Sequence, residues 1–320
     1  MELYPLIFEP ILKDRIWGGT KLKTKLGKNI PTQTTGESWE LSAVEGDVSI
    51  VKNGAYRGMP LSGLLEQFPK EILGEVLHEK FGTKFPLLFK FLDAKEDLSI
   101  QVHPNDELAK KRHNSFGKTE MWYVMQADEG ARIIVGFKHK SGPDEYLEHL
   151  RNKNLIDILN VVEVKKGDVF FLETGTIHAI GAGIVIAEIQ QTSDITYRIY
   201  DWDRIDAQGK SRELHVEQAL DAMNYNTTNT KREYTETLNT GNVMVESPYF
   251  TTSYFPLAGE ALITKDNSSF TVYICTEGEY VFKTKNEKYT FRKGDTVLAP
   301  AALSNFTLEG NATLLEICIS

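Results

Sequence analysis

No stretch of this 320-residue chain approaches the ~18 consecutive apolar residues of a membrane span, so a membrane partner is not expected. The opening residues MELYPLIFEPILKDRIWGG contain no basic segment followed by about 7–15 apolar residues, and so do not form a signal peptide. A cytoplasmic location follows as the expectation. Positive charge is in deficit: the net charge is -9 and the pI near 5.4. That balance argues against sequence-independent binding to nucleic acid, although an average leaves room for a local basic pocket suited to a small anion. Cysteine is scarce. Cys275 and Cys318 stand in late apolar strands without CxxC spacing; they read as free thiols, while spacing alone leaves a bridge between them open.

What is present is ordinary for a soluble globular protein, with 41% hydrophobic and 25% charged residues. The length suits one large domain or two of common size. Residues 60–80 carry apolar side chains at helical spacing and predict one or two short helices. From Phe85 onward the pattern becomes short β-type runs (FPLLFKFLDA, LSIQVH, EMWYVMQA, ARIIVGF, DVFFLE, GIVIAEIQQ) separated by Gly, Asp and Asn turns. Helical period returns at 143–160, with Pro143 suited to a first turn, and again at 213–224. The Asn- and Thr-rich segment 225–242 reads as a connector, after which strands resume. Many short strands with turn punctuation predict a mainly β sandwich or barrel, of which a jelly roll is one form.

An internal repeat sharpens this. VKKGDVFFLETGTIHAIGAG (164–183) and FRKGDTVLAPAALSNFTLEG (291–310) share K-G-D, an apolar strand and a small-residue turn at one offset. His178 then falls opposite Asn305. Aligning Gly130 with Gly278 places Val124 on Val272 and Glu120 opposite Ser268. A duplicated unit is expected, with residues 1–240 holding one copy with an N-terminal extension and helical insertions and 241–320 holding the other.

Gly167, five residues, Glu173-Thr174-Gly175, two residues and His178 resemble the second cupin motif, with only its proline replaced. The chain thus resembles a protein of two cupin-type jelly-roll barrels, the first able to hold a metal and the second not. Leu98-Ser99-Ile100-Gln101-Val102-His103-Pro104-Asn105-Asp106 and Lys118-Thr119-Glu120-Met121-Trp122 resemble the metal-site signature of type I mannose-6-phosphate isomerases. Trp17-Gly18-Gly19, Gly36-Glu37-Ser38-Trp39, Gln190 to Asp194 and Tyr197 to Trp202 are similar to further blocks of that family. Only 57 residues separate Glu120 from His178, as in the short bacterial form rather than the longer members with a helical insertion there.

The chemistry is consistent with that resemblance. Gln101 and His103 lie two apart on a strand and point to one face. With Glu120 and His178 they offer an amide oxygen, two imidazoles and a carboxylate, a set suited to one zinc or another borderline divalent ion with a position left open. Aldose–ketose isomerisation of a phosphorylated hexose through a cis-enediol needs an electrophile and a base. The metal would be the electrophile, and Glu188, Lys118 or a water on the metal the base. The nearby metal is expected to depress the Lys118 pKa. The resemblance implies that Arg198 is an active-site arginine, with Asp194 placed to orient it, and Trp17 either walls the pocket or packs the core. Phosphate ligands are not legible, the basic candidates Lys13, Arg15, Lys21 and Lys90 being scattered. A cupin glucose-6-phosphate isomerase would favour H-x-H over Gln101-x-His103. A non-catalytic sugar-binding or regulatory cupin would not need Lys118, Glu188 and Arg198 together, and a dioxygenase would favour more histidines than this site has. A monomer or homodimer is expected.

Overall fold

In the strand Ile184–Gln191 successive side chains alternate between two packed faces. Val185, Ala187 and Ile189 join one apolar cluster, and Ile184 and Ile186 another. Glu188 and Gln190 therefore share the face of Ile184 and Ile186. The same alternation in Glu120–Ala127 sends Met121, Tyr123 and Met125 one way and Trp122 and Val124 the other, together with Glu120. A strand covered on both faces cannot show the simple apolar–polar alternation of a half-exposed one, and its few inward polar groups become conspicuous.

The computed structural model describes residues 3–205 and 209–319. Among these the fold is mainly β, with seven short α-helices. A seven-stranded antiparallel sheet contains Thr35–Leu41, Leu87–Ala94, Glu120–Ala127 and Ile184–Gln191. A five-stranded sheet contains Ile100–Val102, Arg132–Phe137, His178–Ile180 and Tyr197–Tyr200. The two sheets enclose a core of Leu92, Trp122, Phe170 and Ile186 from one side and Ile133, Val135 and Ile180 from the other. Helices Pro143–Arg151 and Val216–Ala222 cover the outer face of the smaller sheet through Tyr146 and Ala219. A six-stranded sheet is built from residues 242–318. Its Val272, Ile274 and Ile317 pack against Phe89, Phe91 and Tyr123 of the seven-stranded sheet. The N-terminal segment crosses to this last sheet, where Leu6 and Leu298 exchange backbone hydrogen bonds at 2.8 and 2.9 Å.

Several expectations need adjustment. Residues 60–80 form three helices, Leu61–Gln67, Pro69–Leu73 and Glu75–Phe81, because Pro69 and Gly74 each interrupt the run. The 143–160 helix stops at Arg151 and a 3-10 turn follows at Leu155–Ile158. The connector 225–242 includes the strand Lys231–Arg232, paired with Val169 and Phe170. Cys275 is buried and Cys318 half-buried, and both are free.

The repeat is present but its register differs by three residues. Gly167 donates its N–H to Val124 at 2.9 Å, and Gly294 donates to Cys275 at 2.8 Å. Val124 in turn donates to Asp168, and Cys275 to Asp295, each at 2.9 Å. Leu172 pairs with Glu120 as Ala299 pairs with Thr271. Glu120 therefore corresponds to Thr271, not Ser268. Gly130 and Gly278 share positive φ for unrelated reasons. The first lies in a turn after its strand, and the second sits within Thr271–Lys283 just past a register shift.

Candidate metal centre

His178 opens the strand His178–Ile180 and pairs in register with Gln101. His103 follows Ile100–Val102, and Glu120 begins the next strand of the opposing sheet. These three elements bring His103, Glu120 and His178 together, each at most 2% exposed, with candidate ligand atoms within 4.8 Å of one another. His178 Nε2 lies 3.4 Å from Glu120 Oε1, and His103 Nε2 lies 3.6 Å from Glu120 Oε2. Such separations are those of atoms that share one small cation.

Protonation favours the same reading. His103 Nδ1 donates to the Ile195 carbonyl and His178 Nδ1 to the Thr176 carbonyl, each at 2.8 Å. A carbonyl can only accept, so each Nδ1 carries the proton and each Nε2 keeps its lone pair facing the cluster. Burial, reinforced by the Lys118 charge, pushes both imidazole pKa values down, His178 to about 4. Glu120 Oε1 is buried without a hydrogen-bond partner, which a cation would supply. The Lys118 ammonium lies 3.0 Å from His103 Nε2 and bonds Glu120 Oε2, so a positive group already engages two of these atoms. Gln101 Nε2 stands 3.3 Å from His178 Nε2, and a half-turn of that amide presents Oε1 to the same point. The residues therefore fit a divalent metal.

Glu188 lies beside this cluster, opposite Lys90 on one neighbouring strand and Trp122 on the other. Its Oε1 accepts from Lys90 Nζ and its Oε2 from Trp122 Nε1, both at 3.1 Å. Burial pushes the Glu188 pKa up, but Lys118 and Lys90 outweigh it and hold the carboxyl well below its usual range. Glu120 moves the other way, raised by burial. Lys118 Nζ lies 3.9 Å from Glu188. Burial alone would lower the Lys118 pKa, yet Glu120 and Glu188 raise it overall. The two carboxylates that face the ammonium set this direction; the depression expected from a metal would act against it once a cation occupies the neighbouring ligands.

A cavity of about 540 Å³ meets the cluster at Gln101 and Lys118 and is also lined by Trp17, Glu188, Asp194 and Arg198. Trp17 is buried and belongs to the core cluster as well as to the cavity wall. Arg198 is the cross-strand partner of Gln101. Its Nη1 donates to the Glu213 carbonyl at 3.0 Å, and its Nε is buried without a partner. The expected orienting contact from exposed Asp194 is absent among the described residues, the Glu213 backbone holding the guanidinium instead. Lys13, Arg15 and Lys90 line the cavity, whereas Lys21 pairs with Asp128 elsewhere. The pairing of Lys90 and Trp122 with Glu188 was not legible in the sequence, although the register of three strands with inward polar groups carries the signal.

A mainly β fold holding two neutral imidazoles and a carboxylate at the edge of a polar cavity defines a metal-binding enzyme of the cupin kind. The family model for the phosphomannose isomerase type I catalytic domain matches residues 6–135, and that for the mannose-6-phosphate isomerase cupin domain matches residues 240–319. The chain is 41% identical over 318 residues to mannose-6-phosphate isomerase ManA of Bacillus subtilis, covering 98% of each. It is 37% identical over 317 residues to the mannose-6-phosphate isomerase of Streptococcus mutans, covering 97% of each. The crystal structure of the mannose 6-phosphate isomerase from Bacillus subtilis superposes with a TM-score of 0.91 at 35% identity, over 98% of this chain and 99% of that one. The chain belongs to the mannose-6-phosphate isomerase family. No helix among the described residues is long and apolar enough to cross a membrane.

Proposed function

We propose that this protein is a metal-dependent isomerase that interconverts mannose 6-phosphate and fructose 6-phosphate through a cis-enediol, with one zinc held by Gln101, His103, Glu120 and His178. The observation that carries the reading is the convergence of the His103, Glu120 and His178 cluster, Lys118 and Glu188 beside one polar cavity. The protein acts in the cytoplasm on a phosphorylated hexose, as a monomer or homodimer. Residues 1–240 carry the metal-binding cupin. Residues 241–320 form a copy without metal, since Thr271 and Asn305 stand where Glu120 and His178 do, and neither offers a carboxylate or imidazole.

When bound, the metal supplies an electrophile that polarises the sugar carbonyl and stabilises negative charge on its oxygen. The chain's own groups do the rest. Lys90 and Trp122 fix both oxygens of Glu188, so its carboxylate holds one orientation toward Lys118. We assign proton movement between C1 and C2 to Lys118 Nζ, which as the neutral amine would take the proton from one carbon and as the ammonium return it to the other. The neutral form would be favoured by a cation on the neighbouring ligands, and Glu188 balances the charge of the ammonium. Arg198 lines the cavity and offers the guanidinium N–H groups not held by the Glu213 carbonyl to an anion there, either the enediolate oxygen or the phosphate. Trp17 walls the pocket against water and Asp194 meets the sugar hydroxyls at its edge.

A coupled assay for fructose 6-phosphate formed from mannose 6-phosphate and from glucose 6-phosphate, with and without chelator, tests the reading. Turnover of the mannose compound alone, lost on chelation and restored by zinc, is expected. Turnover unaffected by complete metal removal, or confined to the glucose compound, would overturn it.

A further inference from the structure

The loop that carries Lys118 is strapped down by side chains outside the metal cluster. Thr119 is clamped on both sides by Gln191: its N–H donates to Gln191 Oε1 at 2.9 Å, and its carbonyl accepts from the Gln191 N–H at 3.1 Å. On the other side of Lys118, the Gly117 N–H donates to Asp106 Oδ1 at 2.7 Å. A Cβ on Gly117 would come within 2.7 Å of the Asp106 backbone nitrogen, so the loop closes here at glycine-only distance. The two restraints converge, because Gln191 Nε2 also donates to Asp106 Oδ1, at 3.0 Å. The second oxygen of Asp106 is taken from the other half of the molecule, where Tyr249 OH donates to Oδ2 at 3.0 Å. Tyr249 lies in the turn between strands Asn242–Glu246 and Thr251–Thr264 of the C-terminal sheet, and its hydroxyl also meets Thr119.

We infer that Asp106 and Tyr249 are positioning residues, through which the metal-free C-terminal sheet holds Lys118 in place for the reaction. A carboxylate that accepts three hydrogen bonds from three separate segments fixes them relative to one another. Both chain neighbours of Lys118 are thereby immobilised, leaving only its side chain to move. The C-terminal copy, which lacks metal ligands, acquires a role in the chemistry beyond covering apolar surface. This inference rests on the proposed role of Lys118.

The test is Tyr249→Phe, which removes one hydroxyl and keeps the ring, beside Asp106→Asn and Asp106→Ala. Hydrogen exchange at the Gly117 and Thr119 amides is expected to quicken in all three, with metal content and thermal midpoint near wild type for Tyr249→Phe. In the isomerase assay kcat is expected to fall about 5-fold for Tyr249→Phe, the worth of one net hydrogen bond, and more for Asp106→Ala, with KM within about twofold. Asp106→Asn should fall between, since it keeps one oxygen acceptor. On a Lys118→Arg background, Tyr249→Phe should cost no further kcat, because the residue it positions is already gone. Unchanged exchange and unchanged kcat in Tyr249→Phe, or a full additive loss on the Lys118→Arg background, would overturn the inference. A wild-type protein inert toward mannose 6-phosphate would sink the functional reading instead, and the exchange measurement would still decide whether the clamp exists.

Discussion

Gln101 and His178 are direct partners across two antiparallel strands, with their Nε2 atoms 3.3 Å apart. The pairing ties two candidate ligands to the most rigid feature of the site, a sheet ladder, rather than to loops. Each imidazole is then fixed from behind by a backbone carbonyl, Ile195 for His103 and Thr176 for His178. The cluster is therefore preorganised for a cation, and the Lys118 ammonium already engages two of its ligand atoms, His103 Nε2 and Glu120 Oε2.

Removing either imidazole should remove the metal. His103→Ala and His178→Ala are expected to bind less than one-tenth of an equivalent of zinc after dialysis and to lose turnover together, because each deletes a ligand atom. Gln101→Ala should retain metal more weakly, by roughly 10- to 100-fold in affinity, since a neutral amide is the weakest donor of the set. Elemental analysis alongside the isomerase assay decides. An alanine variant with a full equivalent of metal would remove that histidine from the ligand set.

The same imidazoles tie apoprotein stability to pH. Their pKa values lie below the ordinary 6.5, His178 at about 4. Between these limits the unfolded chain binds protons that the folded chain refuses, so stability falls as pH drops from about 6.5 toward 4, by up to about 1.4 kcal/mol per unit for each group. Glu120, raised by burial, pulls the other way, so the informative quantity is the difference between chelated wild type and His178→Gln. Denaturant midpoints at pH 7 and pH 5 should show wild type losing more than the variant. Equal losses would mean that His178 is not held neutral by the fold.

Much of the site was legible because its signals are local. The Gln101–His103 spacing, the offset from Gly167 to His178 and the shared face of Glu188 and Gln190 each follow from strand period and turn length. What the sequence hides is long-range or disguised. The strand Thr35–Leu41 (TGESWEL) is buried throughout and reads as polar, because its polar groups are satisfied partly within the strand and partly by basic side chains from preceding segments. Glu37 pairs with Arg15 and the Trp39 indole, and Glu40 with Ser38 and Lys28. Helix Asp106–His113 buries only Ala109, so no periodicity marks it, although the Asn105 side chain caps it and the charge runs from acidic to basic. The repeat was visible but misregistered, because two glycines with positive φ attract an alignment that the hydrogen-bonded ladder does not support.

Trp122 is expected to matter for rate rather than for metal. Its indole N–H is one of two donors on the buried Glu188 carboxylate. Trp122→Phe removes that donor while keeping most of the packing, and a lost hydrogen bond to a charged group is worth about 1.5–3 kcal/mol. A kcat lower by roughly 10- to 100-fold with an unchanged metal equivalent is the expected result. Unchanged kcat in the folded variant would show that Glu188 needs no such tether.

Arg198 separates two uses of positive charge in the cavity. It pairs in register with Gln101, its backbone N–H and carbonyl are both engaged by His215, and its side chain is steadied by the Glu213 carbonyl. With Nη1 tied to that carbonyl, the rest of the guanidinium has capacity to spare beside the cavity. Should it meet charge that develops on the enediolate, Arg198→Ala will lower kcat while KM changes little, since only contacts made in the transition state alter the chemical step selectively. Should it hold the phosphate in the ground state, KM will rise more than kcat falls. Either loss is worth about 2–4 kcal/mol, roughly 30- to 1000-fold. Arg198→Lys is expected to recover only part of it, because an ammonium lacks the planar fork and cannot reach the Glu213 carbonyl and an anion together. Steady-state kinetics of both variants, with zinc content measured on the same samples, distinguishes the two roles. A folded Arg198→Ala protein of full activity would reduce Arg198 to a structural tie between the Tyr197–Tyr200 strand and the Glu213 segment.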